Sequence, residues 1–252
     1  MTPAALAIIG VTIVLSSFIS GVFGMAGGMV LLGVLLVYFD VGTAMLLFSI
    51  IQLAANGWRA LHWRRYVLWP IFYGYVGGAV LAFAAMRYLA YVPNKAAVYI
   101  LLGLMPFSVD ALPQSMRPNI EWRGIPFFTG IFTTVLQFMA GVGGLFLDIF
   151  FNRSSLDRKT TNATKAITQT FSHILRAAYF GSLSGLGELK FVYWGPGLVL
   201  ALFGAVLAPF VVERMSDHGF RRWTRVIIYT LAMVYLVRGG LLLWHDAFAP
   251  SA

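Results

Sequence analysis

Long apolar runs separated by short basic stretches dominate the chain. Five runs read as single membrane helices: residues 42–60, 67–86, 96–110, 193–212 and 226–244. A sixth stretch, 160–181, keeps the helical period of apolar positions but is unusually polar. Two further stretches do not fit one crossing each. From Ala4 to Tyr38 the sequence is apolar throughout. A helix of that length, rising about 1.5 Å per residue, would overshoot a hydrocarbon core of about 30 Å. It is also interrupted by Gly21, Gly24, Gly27 and Gly28, and the stretch from Ile125 to Phe151 is interrupted by Gly141, Gly143 and Gly144. Each stretch is expected to form two short helices joined at a glycine turn, a hairpin that enters and leaves on one side.

Composition sharpens this picture. Of 252 residues, 60% are hydrophobic and 11% charged, where a soluble domain carries about a quarter charged residues. So few charges cannot cover a water-facing surface. The chain therefore reads as an all-α integral membrane protein, one membrane domain over residues 1–252. There is room for roughly eight to ten membrane segments. A soluble enzyme and a nucleic-acid binder are excluded. The net charge of +9 reflects the basic loops of a membrane protein rather than a nucleic-acid surface. With no cysteine, disulfides, thiolate metal sites and cysteine nucleophiles are absent. Thr2 to Ser20 lacks a positive leading region, so no cleavable signal peptide is expected.

Loop charges discriminate between topologies. Lys165, Arg176 and Arg238 fall inside helices. If each glycine-broken stretch crosses once, the other fifteen basic residues divide six to nine between the two sides. If each is a hairpin, twelve lie on one side, and Arg87, Lys95 and Lys190 lie on the other. Positive charge concentrates in the cytoplasm. The hairpin arrangement satisfies this rule, and it places both termini outside.

The two halves resemble each other. Gln52, Asn56, Arg59 and Ala60 correspond to Gln169, His173, Arg176 and Ala177 at one constant spacing. Gly78-Ala-Val-Leu-Ala82 recurs as Gly204-Ala-Val-Leu-Ala208. Each repeat, about 4–110 and about 122–245, would be one glycine-turn hairpin plus three transmembrane helices. Three crossings is an odd number, so the second repeat must be inverted. Inverted repeats with broken helices characterise secondary transporters.

The polar stretch carries the candidate chemistry. Thr161, Lys165, Thr168, Gln169, Ser172, His173 and Arg176 share one helical face. Ser49, Gln52, Asn56 and Arg59 share a face of the corresponding helix. A cation at mid-membrane costs about 2.5–3.5 kcal/mol on insertion scales, so such stripes must face a cavity or a partner. One reading is a pathway for a small anion, with Lys165 and Arg176 supplying charge and the amides and hydroxyls supplying donors. The other is that Arg59 and Arg176 snorkel to opposite interfaces while Lys165 pairs with Asp148. Asp148 itself is a candidate proton relay with His173, or a structural ion-pair partner. Helices starting near Gly27–Gly28 and Gly143–Gly144 would aim positive dipole ends at an anion in the bilayer middle. Close packing through small residues is the alternative use of these glycines, and the expected one for Gly77 and Gly78. Aromatic residues from Tyr38 to Trp244 near the span ends read as an interfacial belt.

Ser20-Gly-Val-Phe-Gly24-Met-Ala-Gly27-Gly28, its echo Ala140-Gly-Val-Gly-Gly144, and the helix start Leu156-Asp-Arg-Lys-Thr-Thr-Asn-Ala-Thr-Lys165-Ala resemble the TauE/SafE family of sulfite exporter-like membrane proteins. The resemblance spans nearly the whole chain. It implies outward transport of sulfur-containing anions such as sulfite, sulfoacetate and related sulfonates. The chain departs from the family pattern in two places. Ala26 stands where a glycine is usual, and the usual proline is missing near Gly33, with Asp148 near the equivalent place in the second half. An anion channel, an uptake carrier and an intramembrane hydrolase built on Ser184 and His173 are the competing readings. No cofactor, metal or catalytic residue is expected; the partners are a small anion and the lipid bilayer.

Overall fold

The computed structural model describes residues 1–23, 26–141, 143–184, 191–212 and 217–248. Ten α-helices are present among them: α1 Pro3–Phe23, α2 Ala26–Tyr38, α3 Val41–His62, α4 Trp69–Leu89, α5 Lys95–Ala111, α6 Ile125–Ala140, α7 Gly144–Phe151, α8 Arg158–Ser184, α9 Phe191–Val212 and α10 Asp217–Phe248. Helix is the expected answer for an apolar chain, because it satisfies every backbone hydrogen bond within the segment.

Local chemistry sets the boundaries. Asp40 caps α3 by accepting from the Thr43 N–H at 3.0 Å, and Asn94 caps α5 by accepting from Ala97 at 2.8 Å. Asp157 takes the Lys159 and Thr160 amides at the start of α8. Prolines occupy the first turns of α4 and α6, where a missing N–H costs nothing. α6 stops at Gly141, whose φ of +76 suits a residue without a Cβ.

Both glycine-broken stretches form two helices, and in each the arms pack on one another. A Cβ at Gly27 would run into the Ser16 carbonyl and Ser20 of α1; one at Gly143 would meet the Thr133 carbonyl of α6 at 2.6 Å. The arms are not all short, however. α1 has 21 residues, and Pro3–Val22 is itself long and apolar enough to cross a membrane. Gly10 and Gly21 leave α1 unbroken, because nothing in lipid competes for its backbone groups and Gly21 packs against Ala208 of α9. The second arms, α2 with 13 residues and α7 with 8, are short.

Five helices among the described residues have the length and apolarity of a membrane span: α1, α3, α4, α9 and the Arg222–Phe248 part of α10. α5 has 17 residues, and α8 is kept off this set by its polar stripe. α10 starts at Asp217, well before the apolar run at 226, because Arg222 and Arg225 continue the helix beyond the apolar segment.

The main packing pairs are α3 with α8, α4 with α6, α1 with α9, and α5 with α10. Small residues let these backbones approach. Gly78 of α4 sits against the Phe127 backbone and Gly130 of α6 against the Tyr75 backbone, while Gly204 of α9 sits against Val14. The use expected for Gly78 is therefore the one found. The outer faces are apolar: Val11, Leu15, Val199, Phe203, Val237 and Leu241 are exposed. Trp58, Trp69, Trp122, Trp223 and Trp244 are exposed near helix ends.

The connections sort to two ends. Lys159 at the start of α8 lies over the Tyr66 ring between α3 and α4, and Asn119 and Ile120 before α6 bond to Arg153 and Phe150 at the end of α7. These joints share one end, rich in Arg and Lys. At the other, Tyr179 donates to the Tyr91 carbonyl between α4 and α5, and Phe39 before α3 packs on Tyr193 of α9. Gly24, Lys190 and Arg214 lie outside the described residues.

Candidate functional site

The centre of the molecule is the seam between α3 and α8, where both polar stripes turn inward. Ser49, Gln52 and Asn56 of α3 are buried, as are Thr168, Ser172, His173 and Arg176 of α8. The two helices come close enough for Asn56 Nδ2 to lie 3.1 Å from His173 Nε2, so residues matched between the halves touch in space.

Arg176 anchors the cluster. It is 0% exposed. Its Nε donates to Ser49 Oγ at 2.7 Å, Nη1 donates to the Gly141 carbonyl, and Nη2 meets His173 Nδ1 at 3.0 Å. The guanidinium lies 4.4 Å from the centre of the Phe48 ring. Snorkelling is therefore excluded for Arg176. Its contacts are a hydroxyl, a carbonyl, an imidazole and an aromatic face, none of them anionic.

Hydrogen-bond roles follow from Arg176. A guanidinium can only donate, so His173 Nδ1 accepts and the neutral ring carries its proton on Nε2. Nε2–H then faces Asn56 Nδ2, itself a donor, which donates to the Gln52 carbonyl at 3.1 Å, while Asn56 Oδ1 accepts from Arg59 Nη2. Gln137 Nε2 of α6 approaches Nδ1 at 3.4 Å as another donor. Donors outnumber acceptors around this imidazole.

The hairpins converge here. Gly141, at the tip of the second, gives its carbonyl to Arg176, and α7 starts three residues later. Gly28, near the start of α2, faces Phe48 and Gln52; a Cβ there would lie 3.0 Å from Gln52 Nε2. Gly27 and Gly143 serve the close packing of hairpin arms described above, and Gly144 is buried at the start of α7.

Lys165 and Asp148 form an ion pair between α8 and α7. Arg59, partly buried, lies within electrostatic reach of Asp148 and reaches back to Asn56. The contacts of His173 are Asn56, Gln137, Arg176 and the edge of Phe48, so a direct relay from Asp148 to His173 is not formed. Gln169, partly exposed, follows Thr168 on the same face. The side chain of Ser184 and the residue Gly185, which a hydrolase would need, lie outside the described residues. Among the described residues no group of His, Asp and Glu is placed to hold a metal.

Several participants escaped the sequence reading. Tyr75 of α4 bridges Ser172 Oγ at 2.5 Å and Thr133 Oγ1 at 2.9 Å, and Gln137 and the Gly141 carbonyl complete the wall. The spacing that relates Asn56 to His173 also relates Ser16 and Ser20 of α1 to Thr133 and Gln137 of α6. Extending the match into the hairpins reaches Thr133 and Gln137, whereas nothing in the sequence singles out Tyr75.

No curated protein and no solved structure was found to match the chain. The family profile described as "Sulfite exporter TauE/SafE" matches residues 8–236. With a buried polar seam, several membrane-length helices and this match over most of its length, the chain belongs to the TauE/SafE family of sulfite exporter-type membrane transporters.

Proposed function

We propose that this protein is a secondary carrier that exports a sulfur-containing anion, sulfite, sulfoacetate or a related sulfonate, across the bacterial inner membrane. One observation carries this reading: Arg176 is wholly buried among neutral groups, next to an imidazole surrounded by donors. An unpaired buried charge is costly. An oxyanion between Arg176, Asn56, Gln137 and the hairpin tips would supply the missing charge and the missing acceptors together. Gln52, Gln169 and Arg59 flank that space, and the start of α7 adds its dipole. An inside-negative potential drives each negative charge outward by about 2.3 kcal/mol per 100 mV, so export needs no coupled ion. The burial of Arg176 favours a carrier over an open channel.

Alternating access would come from two inverted repeats, about 4–110 and about 122–245. The packing supports this reading. α1 holds α9 as α6 holds α4, the exchange a two-fold relation requires, while α3 pairs with α8 and α5 with α10. The basic end would face the cytoplasm, leaving both termini in the periplasm.

Thermal stabilisation of the purified protein tests the site. Sulfite, sulfate, thiosulfate, sulfoacetate and acetate would be compared at matched ionic strength. A ligand of the folded state alone must raise stability. The expected result is a rise with a sulfur oxyanion or sulfonate that vanishes in Arg176→Ala. A rise that persists in that variant counts against the site; no rise with any anion counts against the carrier.

A further inference from the structure

The ion pair of Asp148 with Lys165 occupies a particular depth. Lys165 is seven residues into α8, about 10 Å from its basic end, whereas His173 lies about 22 Å along the same helix. Asp148 is three residues from the end of α7, and Arg59 three residues from the end of α3. All three charged groups therefore lie between the central cluster and the basic end. They are not sealed in: the Lys165 and Asp148 side chains are 22% and 35% exposed.

The pair also bridges separate elements. Asp148 belongs to the short arm of the second hairpin, Lys165 to α8, and Arg59 to α3. From Arg59 a line of contacts runs inward through Asn56 and His173 to Arg176. Asp148 Oδ1 faces the Lys165 ammonium and takes no other hydrogen bond among the described residues. It is held by charge alone, and another anion can replace such a contact.

We propose that Asp148 acts as a built-in anion that closes the inner mouth by sitting between Lys165 and Arg59, and that the transported anion enters by displacing it. This rests on the anion-carrier reading above. It assigns Lys165 to the entrance rather than to the central site. It also gives the Asp148 carboxylate a role as a positioning residue that sets apparent affinity.

Two readouts separate this inference from the carrier reading. The first is the sulfite concentration that half-saturates thermal stabilisation. In Asp148→Asn it should fall at least about threefold, because the competitor for the two cations is gone. The doubly neutral variant Asp148→Asn/Lys165→Gln keeps the net charge of the three groups and guards against a folding failure. The second readout uses the absence of cysteine. A single reporter, Gln52→Cys, would be labelled by a water-soluble thiol reagent in reconstituted vesicles. Labelling from the basic end should quicken in both neutral backgrounds and slow again in the charge-swapped Asp148→Lys/Lys165→Asp. Sulfite stabilisation of the parent with no gain in Asp148→Asn overturns the inference and leaves the carrier standing. No sulfite stabilisation of the parent removes the carrier reading, and the labelling rates then decide the closure: equal rates in all backgrounds overturn it, and faster labelling in the neutral variants upholds it.

Discussion

His173 Nδ1 accepts from Arg176 Nη2 at 3.0 Å, one turn away on α8. The contact fixes the imidazole as a neutral acceptor on that side and turns its remaining proton toward α3. A histidine fixed this way turns a donor toward the Asn56 Nδ2 donor and leaves the guanidinium charge uncompensated. On the carrier reading, a bound anion would meet both the free donor and the free charge.

Stability and binding should therefore part company at Arg176. Replacing even a buried ion pair by apolar residues of similar volume is often neutral or stabilising by about 1–4 kcal/mol, and an uncompensated buried charge costs more to keep than a paired one. Arg176→Met is expected to be at least as stable as the parent without ligand, and to lose all stabilisation by sulfite. Unfolding in detergent with and without sulfite measures both. A loss of more than about 2 kcal/mol in the absence of ligand would mean that the guanidinium holds the fold together through Ser49 and Gly141.

Two glycines separate close packing from mere tolerance. Gly130 lies against the Tyr75 backbone, which cannot rotate away, whereas nothing lies within 4 Å of a Cβ at Gly240. Gly130→Val should part α4 from α6 and lower stability by at least about 1–3 kcal/mol. Gly240→Ala should be neutral or stabilise by up to about 1 kcal/mol through helix propensity. Melting temperatures of the two variants in one detergent decide the matter; equal losses would contradict the packing.

The hydropathy pattern located the helices well because lipid imposes one solution on an apolar segment. The expected 67–86 is α4, 69–89, and the expected 160–181 is α8, 158–184. The length of α1 was not legible, since a glycine breaks a helix only where something competes for its backbone: Arg176 takes the carbonyl of Gly141 where α6 ends, whereas Gly10 and Gly21 of α1 only pack against α9. At the site, the stripe on α8 was readable because Lys165, His173 and Arg176 stand out in an apolar run. Tyr75 was not, because it is unremarkable in sequence and joins the cluster only where α4 closes on α8, and Thr133 and Gln137 emerge only when the repeat is followed into the hairpins.

An exposed tether at the basic end should carry a pH signature. Glu121 accepts from the Ser155 N–H at 2.7 Å and from its hydroxyl at 3.0 Å. These bonds, the backbone one first, hold its carboxyl below the ordinary 4.5. A carboxylate with a lowered folded-state pKa contributes its stabilisation above the unfolded value and loses it as pH falls through the folded one. The link between the loops before α6 and α8 should thus stay intact at neutral pH and loosen only below about pH 4.5. Amide exchange at Ser155, corrected for intrinsic rate, should show extra loss of protection in that acidic window. Glu121→Gln should remove the pH step; an unchanged step in that variant would assign it to another group.

The sorting of connections to two ends predicts which residues share a compartment. Ser115 lies at the Arg- and Lys-rich end, where Arg153 donates to its carbonyl, and Asn94 lies at the other, capping α5 beside Tyr91. In a chain without cysteine, Ser115→Cys and Asn94→Cys are each unique labels. An impermeant thiol reagent added to intact spheroplasts should modify Asn94→Cys and leave Ser115→Cys untouched until the membrane is opened. The reverse pattern would keep the fold and invert it in the membrane, with the termini inside. Export driven by the membrane potential would be unaffected by that inversion, but Asp148 would then guard the outer mouth. Labelling of both positions from one side would mean that α5, the one helix between them, does not cross the membrane.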